Sequence, residues 1–379
     1  MTKNTKPTML VVRAFPRYAE FKYYLSFKAL NVVLVGARKK LHRTISEELP
    51  KNARSVLRST KYYLLFDPIK LITGVATHRS WVVFRDIVDL IKGSDIVNIS
   101  DLYFFYGYHA ARIAKQHNKR IVAVVWENRA HHIATRIPPY SFLVRYLART
   151  VDLFILRSKK GYEFTDSIGI PRAKTVVIYQ GINLARFKPQ KSYLKGDIRF
   201  LYVGQISKEK GVVELLRAFK ELQTKCSNVQ LDVIGSGPHL AKLKRTYESD
   251  TVVFHGFMRN TLTADYYNKA HVFVSPSTSG KFGPLVLYEE RFSYTLMEAQ
   301  AAGCAIIATR CGGIPEEIGS ENILVDQGDW KGLAEAMEGL ARNPQTIKRL
   351  GSYSRSRALA NFDLKKQAHL MEEKLLDLV

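Results

Sequence analysis

At 379 residues, with 46% hydrophobic and 24% charged side chains, the chain has the composition of a folded protein with room for two domains, not of a disordered or fibrous one. Its formal net charge of +24 is unevenly placed: residues 1–190 hold 33 Lys+Arg against 12 Asp+Glu, while residues 191–379 hold 25 against 22. Three scattered cysteines, Cys226, Cys304 and Cys311, exclude a disulfide framework or a cysteine zinc site, and no apolar run approaches the roughly 18 residues of a membrane span.

Residues 9–12 and 31–36 read as buried strands, with a Tyr- and Phe-rich helix between them over 17–29. Residues 53–66 place Arg54, Arg58 and Lys61 at i, i+4 and i+7, so a helix there puts three cations on one face. Such a helix fits either an interfacial segment facing lipid phosphates or an acceptor, or a surface helix whose apolar face joins the core. Helices at 81–91, 108–117, 140–150 and 159–167 then alternate with strands at 95–99, 120–126, 153–156 and 175–178. Near-continuous apolar strands with helical crossovers predict a parallel sheet covered on both faces.

Gly, Pro and Lys residues over 181–196 read as a linker. A second alternation follows, with strands at 198–204, 229–234, 251–254, 272–275, 305–309 and 323–325. Its helices fall at 212–224, 240–247, 262–268, 295–302 and 330–342. The expected fold is α/β, with two tandem Rossmann-like, doubly wound domains and a ligand cleft between them. We expect a basic first domain over 1–186, a second over 187–355, and a C-terminal helix over 356–379 packing back on the first.

Several strand ends of the second half carry residues suited to phosphate or sugar chemistry. Gly204 and Gln205 follow the first strand, with Lys210 just before the next helix, where an ammonium can face a phosphate. Gly235 and Gly237 end another strand, and Ser275-Pro276-Ser277 a further one. Two carboxylates eight apart, Glu290 and Glu298, flank a helix start at Phe292, Ser293 and Tyr294. Thr295 and Glu298 also fit a capping box, in which Glu298 closes its own helix.

In this order, the pieces resemble the family-4 glycosyltransferases of the two-Rossmann-domain (GT-B) architecture, over nearly all of residues 176–345. The motifs are the stretch from Ile178 to Asn183 with Phe187 and Pro189, the loop from Val203 to Gly211, Gly235-Ser236-Gly237-Pro238, Ser275-Pro276-Ser277, Glu290-x7-Glu298, and Gly312-Gly313-Ile314-Pro315-Glu316. The resemblance implies retaining transfer of a sugar from a nucleotide sugar to an acceptor. Glu290 would lie near the donor sugar, Glu298 would hold the ribose hydroxyls, and Lys210 would neutralise the diphosphate. Backbone N–H groups of Phe292, Ser293 and Tyr294 would add to that stabilisation. Gly204, Gln205, Gly235 and Gly237 would complete the donor site. No cofactor and no metal ion are expected, with cationic side chains in place of a divalent ion.

The sequence departs from the family pattern in three places. Gln205 stands where the family usually has Arg, so Arg13, Arg17 or Arg291 would supply the missing charge. The first loop reads Arg13-Ala14-Phe15-Pro16-Arg17, without a glycine pair. Where many relatives have His after the fourth strand, this chain has Trp126-Glu127-Asn128. Glu127 then either contacts a substrate hydroxyl as a catalytic group, with His131 or His132 close behind, or caps the next segment. The basic half suits a glycan or lipid-linked acceptor at an anionic membrane surface. The opening residues lack a secretory signal, so a cytoplasmic protein, peripheral on the inner membrane face, is expected. Two alternatives remain: a nucleic-acid-binding protein using the basic half, or a nucleotide-sugar epimerase or degenerate relative of the same fold.

Overall fold

The computed structural model describes residues 6–14, 21–37, 51–58, 60–62, 82–189, 197–283 and 285–379. The chain divides into two compact units, residues 1–179 with 365–379, and residues 180–364. The division falls between Tyr179 and Gln180, not at 186, and residues 356–364 group with the second unit.

The first unit is built on β1 (Thr8–Val12), β2 (Asn31–Ala37), β3 (Ala53–Arg58), β4 (Thr60–Tyr62), β5 (Val82–Phe84), α1 (Val88–Lys92), β6 (Ile96–Ser100), α2 (Phe105–Gln116), β7 (Arg120–Val125), α3 (Tyr140–Thr150), β8 (Leu153–Leu156), α4 (Gly161–Ser167) and β9 (Thr175–Val177). Its seven-stranded sheet runs β3-β2-β1-β6-β7-β8-β9, and every pairing in it is parallel. All five residues of β6 are buried, as a strand covered on both faces requires. Leu10, Val12, Val97, Ile99, Ile121 and Phe154 belong to one core with Ala110, Ala114 and Leu147 from the helices.

Two expectations fail here. Of the helix expected over 53–66, residues 53–58 and 60–62 are extended, and 59 and 63–66 lie outside the described residues: β3 pairs with β2 from Ala53 to Arg58, and Lys61 lies on β4 opposite Val83 of β5. Arg54, Arg58 and Lys61 therefore do not form a helical face. β3 is the edge of its sheet, where charged side chains discourage further strand pairing, and sheet pairing overrides a helix-compatible spacing. Of the helix expected over 81–91, the described residues 82–91 likewise split into β5 and α1, since Val82, Val83 and Phe84 favour a strand and Asp86 turns the chain at a φ of 54°. The helix expected over 17–29 falls partly outside the described residues; within them Phe21 is helical and a 3₁₀ turn, Tyr24–Ser26, follows.

The second unit contains β10 (Ile198–Val203), α5 (Val212–Gln223), β11 (Val229–Ile234), α6 (Leu240–Tyr247), β12 (Val252–Gly256), α7 (Asn260–Lys269), β13 (Val272–Ser275), β14 (Gly280–Phe282), β15 (Leu285–Tyr288), α8 (Tyr294–Ala301), β16 (Ala305–Thr309), α9 (Ile314–Ile318), β17 (Ile323–Val325), α10 (Trp330–Ala341) and α11 (Pro344–Asn361). A last helix, α12 (Leu364–Leu376), closes the chain. The six-stranded sheet runs β12-β11-β10-β13-β16-β17, again all parallel. Strand order reverses between β10 and β13, and the crevice beyond their carboxyl ends is where such a sheet binds ligands. The β14–β15 hairpin lies in the connection between β13 and α8.

The expected linker is structured where it is described. Ile182 pairs with Asp363, its N–H donating to the Phe362 carbonyl at 2.8 Å, and a 3₁₀ turn covers Leu184–Arg186. Residues 190–196 lie outside the described residues. Helix α12 is tied to the first unit by Glu372, whose carboxylate accepts the N–H groups of Lys28 (3.0 Å), Ala29 (2.7 Å) and Leu30 (3.0 Å). Among the described residues no helix is long and apolar enough to cross a membrane.

Candidate active site

The site is assembled at the β10/β13 reversal from segments far apart in sequence. After β10 the chain turns through Gly204 and Gln205 into a 3₁₀ turn, Lys208–Lys210, and then enters α5. The turn after β11 lies against this loop: the N–H of Gly204 donates to the Ile234 carbonyl (3.0 Å) and that of Ile206 to the Ser236 carbonyl (2.9 Å). Between them opens a cavity of about 410 Å³ lined by Val203, Gly204, Gln205, Ile234, Gly235, Ser236, Gly237, Phe257 and Met258. Gln205 is exposed there, and Phe257, 76% exposed, stands among the lining residues. The structure thus gathers Gly204, Gln205, Gly235 and Gly237 at one cavity.

Lys210 and Glu290 meet directly. The Lys210 ammonium donates to Glu290 Oε2 and to the Tyr288 hydroxyl, the latter at 2.6 Å. Glu290 Oε2 also accepts from the Tyr288 hydroxyl at 2.9 Å and from Ser277 Oγ at 3.2 Å. An ammonium has three protons and a carboxylate two oxygens. Two protons and one oxygen are therefore used within the cluster, and among the described residues neither the third Lys210 proton nor Glu290 Oε1 makes a hydrogen bond. Burial first, and the Glu290 charge second, push the Tyr288 phenol well above its ordinary range, so it stays a donor. The Glu290 backbone is held from the far side, where its carbonyl accepts the Gly313 N–H at 2.8 Å. Gly312 has φ 55°, and a Cβ on it would lie 1.9 Å from that carbonyl oxygen, so only glycine fits.

Glu298 lies inside α8, 5% exposed, with Oε1 accepting the Asn260 amide at 2.8 Å. Asn260 is itself gripped by Arg186, whose guanidinium donates to its Oδ1 at 2.7 Å and to its backbone carbonyl. The capping box of Thr295 and Glu298 does not form. Ser293 is the N-cap, which puts Glu298 too deep in the helix to reach back. Glu317 from α9 does that work instead, with Oε2 accepting the Ser293 N–H at 2.8 Å. The Ser293 N–H expected to face a diphosphate is therefore already bonded. Phe292 is buried, its ring 5.7 Å from that of Phe362 in an edge-to-face contact, and Tyr294 is half-buried at the first turn of α8.

Other expected contributors are placed differently. Arg13 is 3% exposed and donates to the Val12 carbonyl (2.9 Å), the Asn98 carbonyl (3.1 Å) and Asn98 Oδ1 (2.8 Å), bracing β1 against β6 instead of reaching outward. Arg17 lies outside the described residues, and Arg291 is half-buried. Glu127 is fully buried, and its oxygens accept the Arg129 guanidinium at 2.6 and 2.8 Å. Glu127 Oε1 also takes the N–H groups of Asn128 (3.3 Å) and Arg129 (3.2 Å). The capping alternative is therefore the one realised, and the carboxylate offers no surface to a substrate hydroxyl. His132 lies 3.6 Å from Glu127 Oε2 through Nε2, and its Nδ1 accepts the Ala134 N–H, which leaves Nε2 to carry the ring proton toward the carboxylate. His131 is exposed and lines a separate cavity of about 390 Å³ with Arg136 and Arg145.

Tyr288, Asn260 and Arg186 were missed as site residues from sequence. Tyr288 had a signal: in an extended chain, residues two apart point the same way, so Tyr288 and Glu290 share a side. Among the described residues no group of three or more His, Cys, Asp or Glu side chains is placed to hold a metal ion.

Residues 185–357 match the family described as glycosyl transferases group 1. The chain is 26% identical over 249 residues to the sulfoquinovosyl transferase SQD2 of Arabidopsis thaliana, covering 59% of this chain and 46% of that protein. It is 27% identical over 251 residues to the capsular polysaccharide biosynthesis glycosyltransferase CapM of Staphylococcus aureus, covering 59% and 62%. The chain thus spans about half the length of the curated relatives it matches. Among solved structures, Anabaena HepE in complex with UDP superposes with a TM-score of 0.73 at 16% identity, over 98% of this chain and 100% of that one. Sucrose-phosphate synthase of Thermosynechococcus elongatus does so with 0.71 at 20% identity, over 99% of each. Neither the nucleic-acid-binding nor the epimerase alternative is favoured by these relatives. With two doubly wound parallel sheets and the cluster around Glu290 inside the matched segment, the chain has the GT-B fold, and its residues 185–357 match the model of the group 1 glycosyl transferases.

Proposed function

We propose that this chain is a retaining glycosyltransferase that moves a sugar from a nucleotide sugar to a glycan or lipid-linked acceptor without a metal ion. The observation that carries the reading is the Lys210–Glu290 cluster at the β10/β13 reversal, with one ammonium proton and one carboxylate oxygen left over for a ligand. As the bond between sugar and nucleoside diphosphate breaks, negative charge grows on the phosphate oxygens, and a fixed cation there lowers the barrier more than it strengthens ground-state binding. Lys210 supplies that cation. The exposed Gln205 amide adds a hydrogen bond but no charge. Glu290 Oε1 faces the donor sugar, and Glu298, oriented by Asn260, takes the ribose hydroxyls. Retention of configuration rests on the likeness of the paired glutamates to the family-4 signature. UDP is the first nucleotide to test, since HepE was solved with UDP and with UDP-glucose.

The acceptor side of the reading rests on the basic first unit, where cations on helix α3 join Arg54, Arg58 and Lys61 as candidates. Helix α3 presents Phe142, 60% exposed, with exposed Arg145 and Arg149, at i, i+3 and i+7. An aromatic ring flanked by cations on one helical face suits an anionic membrane surface at the cytoplasmic side.

The test is a panel of UDP-, GDP- and ADP-sugars, read by thermal stabilisation and by hydrolysis or transfer, with and without EDTA. One donor class should stabilise the protein and turn over equally in EDTA. Lys210→Met should cost about 10²–10³-fold in kcat, the range for losing one preorganised charge-stabilising donor. Glu298→Ala should mainly weaken donor binding. A protein that neither binds nor turns over any donor refutes the reading, and loss of activity in EDTA refutes its metal-free part.

A further inference from the structure

The β14–β15 hairpin delivers a residue that the reading above does not use. Its register shifts between Gly280 and Lys281, and Gly280 ends up opposite Tyr288. A register irregularity of this kind re-aims a side chain at the end of a hairpin. The hairpin is anchored at its base: the Thr278 N–H donates to the Glu209 carbonyl at 2.8 Å, and the Ser279 N–H to Gln327 Oε1 at 2.7 Å. Because Glu209 immediately precedes Lys210, the bond from Thr278 fixes the hairpin relative to the ammonium it serves.

The Tyr288 hydroxyl sits between the two groups. It accepts one Lys210 proton at 2.6 Å and donates its own proton to Glu290 Oε2 at 2.9 Å. A side chain that only filled space would need no hydroxyl here, and a second acid or base in its place would upset the charge balance of the pair. A neutral hydroxyl can bond both partners at once. With two of its protons directed at Tyr288 and Glu290, the Lys210 ammonium can no longer spin freely, so its third proton points in one direction. Glu290, with Oε2 engaged by three donors, likewise has Oε1 in a fixed place.

We infer that Tyr288 is a positioning residue for sugar transfer, holding Lys210 and Glu290 so that the free proton of one and the free oxygen of the other keep fixed directions toward the donor diphosphate and sugar. The inference rests on the donor-site reading proposed above. It concerns orientation alone, since the hydrogen bonds of the hydroxyl are spent on Lys210 and Glu290. Long, flexible Lys side chains gain most from such restraint, because their charge otherwise samples many positions.

Tyr288→Phe keeps the ring and removes the hydroxyl. It should lower kcat by 10- to 100-fold while leaving the donor KM and the Kd of the free nucleoside diphosphate within about threefold, a pattern expected when orientation in the transition state is lost. Ser277→Ala, which removes the longest of the bonds to the same oxygen, should lower kcat by no more than about threefold. Thermal midpoints of both should match the wild type. If Tyr288→Phe folds poorly, 3-fluorotyrosine placed at position 288 preserves shape while weakening the hydroxyl as an acceptor, and should give a kcat between wild type and Phe. A wild-type kcat in Tyr288→Phe, or a parallel fall in thermal midpoint, KM and kcat, overturns the inference and leaves the donor-site reading standing. A wild-type protein that binds and turns over no donor overturns both, and is told apart by needing no variant.

Discussion

The clearest test of the local electrostatics is Glu317→Gln. Glu317 is wholly buried in α9, with Oε2 accepting the Ser293 N–H and Oε1 without a hydrogen-bond partner among the described residues. Burial pushes its carboxyl well above the ordinary 4.5, opposed by the Ser293 N–H and Arg357, and reinforced by the charges of Glu290 and Glu316. The native state therefore keeps a proton that the unfolded chain releases above pH 4.5. The resulting stability is fully present below that pH and is lost as pH rises toward the folded pKa, by about 1.4 kcal/mol per unit for one proton. Gln cannot titrate. Its carbonyl replaces Oε2 as acceptor, while its NH₂ is buried without a partner at a fixed cost of roughly 1–3 kcal/mol. Wild type should thus exceed Gln in stability most at pH 5, and the gap should shrink with each unit upward. Urea unfolding of both proteins from pH 5 to 8, compared as differences, cancels the other titrating groups. A gap that stays constant across that range would show that the carboxyl ionises freely in the fold and would refute the reasoning.

Two further outcomes are expected. Gly312→Ala puts a Cβ 1.9 Å from the Glu290 carbonyl oxygen, so it should cost at least about 10-fold in turnover beyond the ~1–2 kcal/mol of left-handed strain, whereas Gly328→Ala, at φ 80° with nothing within 4 Å, should lose stability alone; equal activities in the two variants would separate Glu290 from the reaction. On vesicles with and without phosphatidylglycerol, flotation should depend on the anionic lipid and weaken by about 10- to 30-fold in Arg145→Gln/Arg149→Gln, at ~1 kcal/mol per cation, and also in Phe142→Ser; binding unchanged in both would remove α3 from the membrane contact.

Much of this architecture was legible because parallel strands covered on both faces are written as apolar runs. β6, β7, β10, β13 and β16 stood out for that reason, and their carboxyl ends located Gly204, Lys210 and Ser277. The misreading of 53–62 has a specific cause. Arg54 and Arg58 are four apart, a spacing that shares a face in a helix and in a strand alike, so only the pairing of β3 with β2 decides. Glu127 was ambiguous because a carboxylate at a strand end looks the same whether it faces a ligand or the backbone two residues on. The contacts of Asn260 with Glu298 and with Arg186 span 38 and 74 residues, and no local pattern announces them. The double turn of Gly312 and Gly313 was visible as a motif, but its purpose, clasping the Glu290 backbone, was not.

The three carboxylates around α8 show how one helix start can be divided among separate tasks. Glu298 points from within the helix and is steadied by a neutral amide, Asn260, which orients it without adding charge. Glu317 comes from the next helix and takes the N-cap N–H, a group that at an open helix start would be available to an anion. With Ser293 so engaged, and with Gln205 adding no charge, the proposed transfer would load the growing negative charge of a diphosphate more heavily on Lys210. That gives physical sense to the attention the fold pays this one ammonium: a carboxylate and a phenol to hold it, and a hairpin anchored one residue before it to hold the phenol. The same logic orders the variants. Loss of the Lys210 charge should be the most damaging single change in the second unit, loss of the Tyr288 hydroxyl intermediate, and loss of Ser277 Oγ the mildest, since each acts at one further remove from the phosphate.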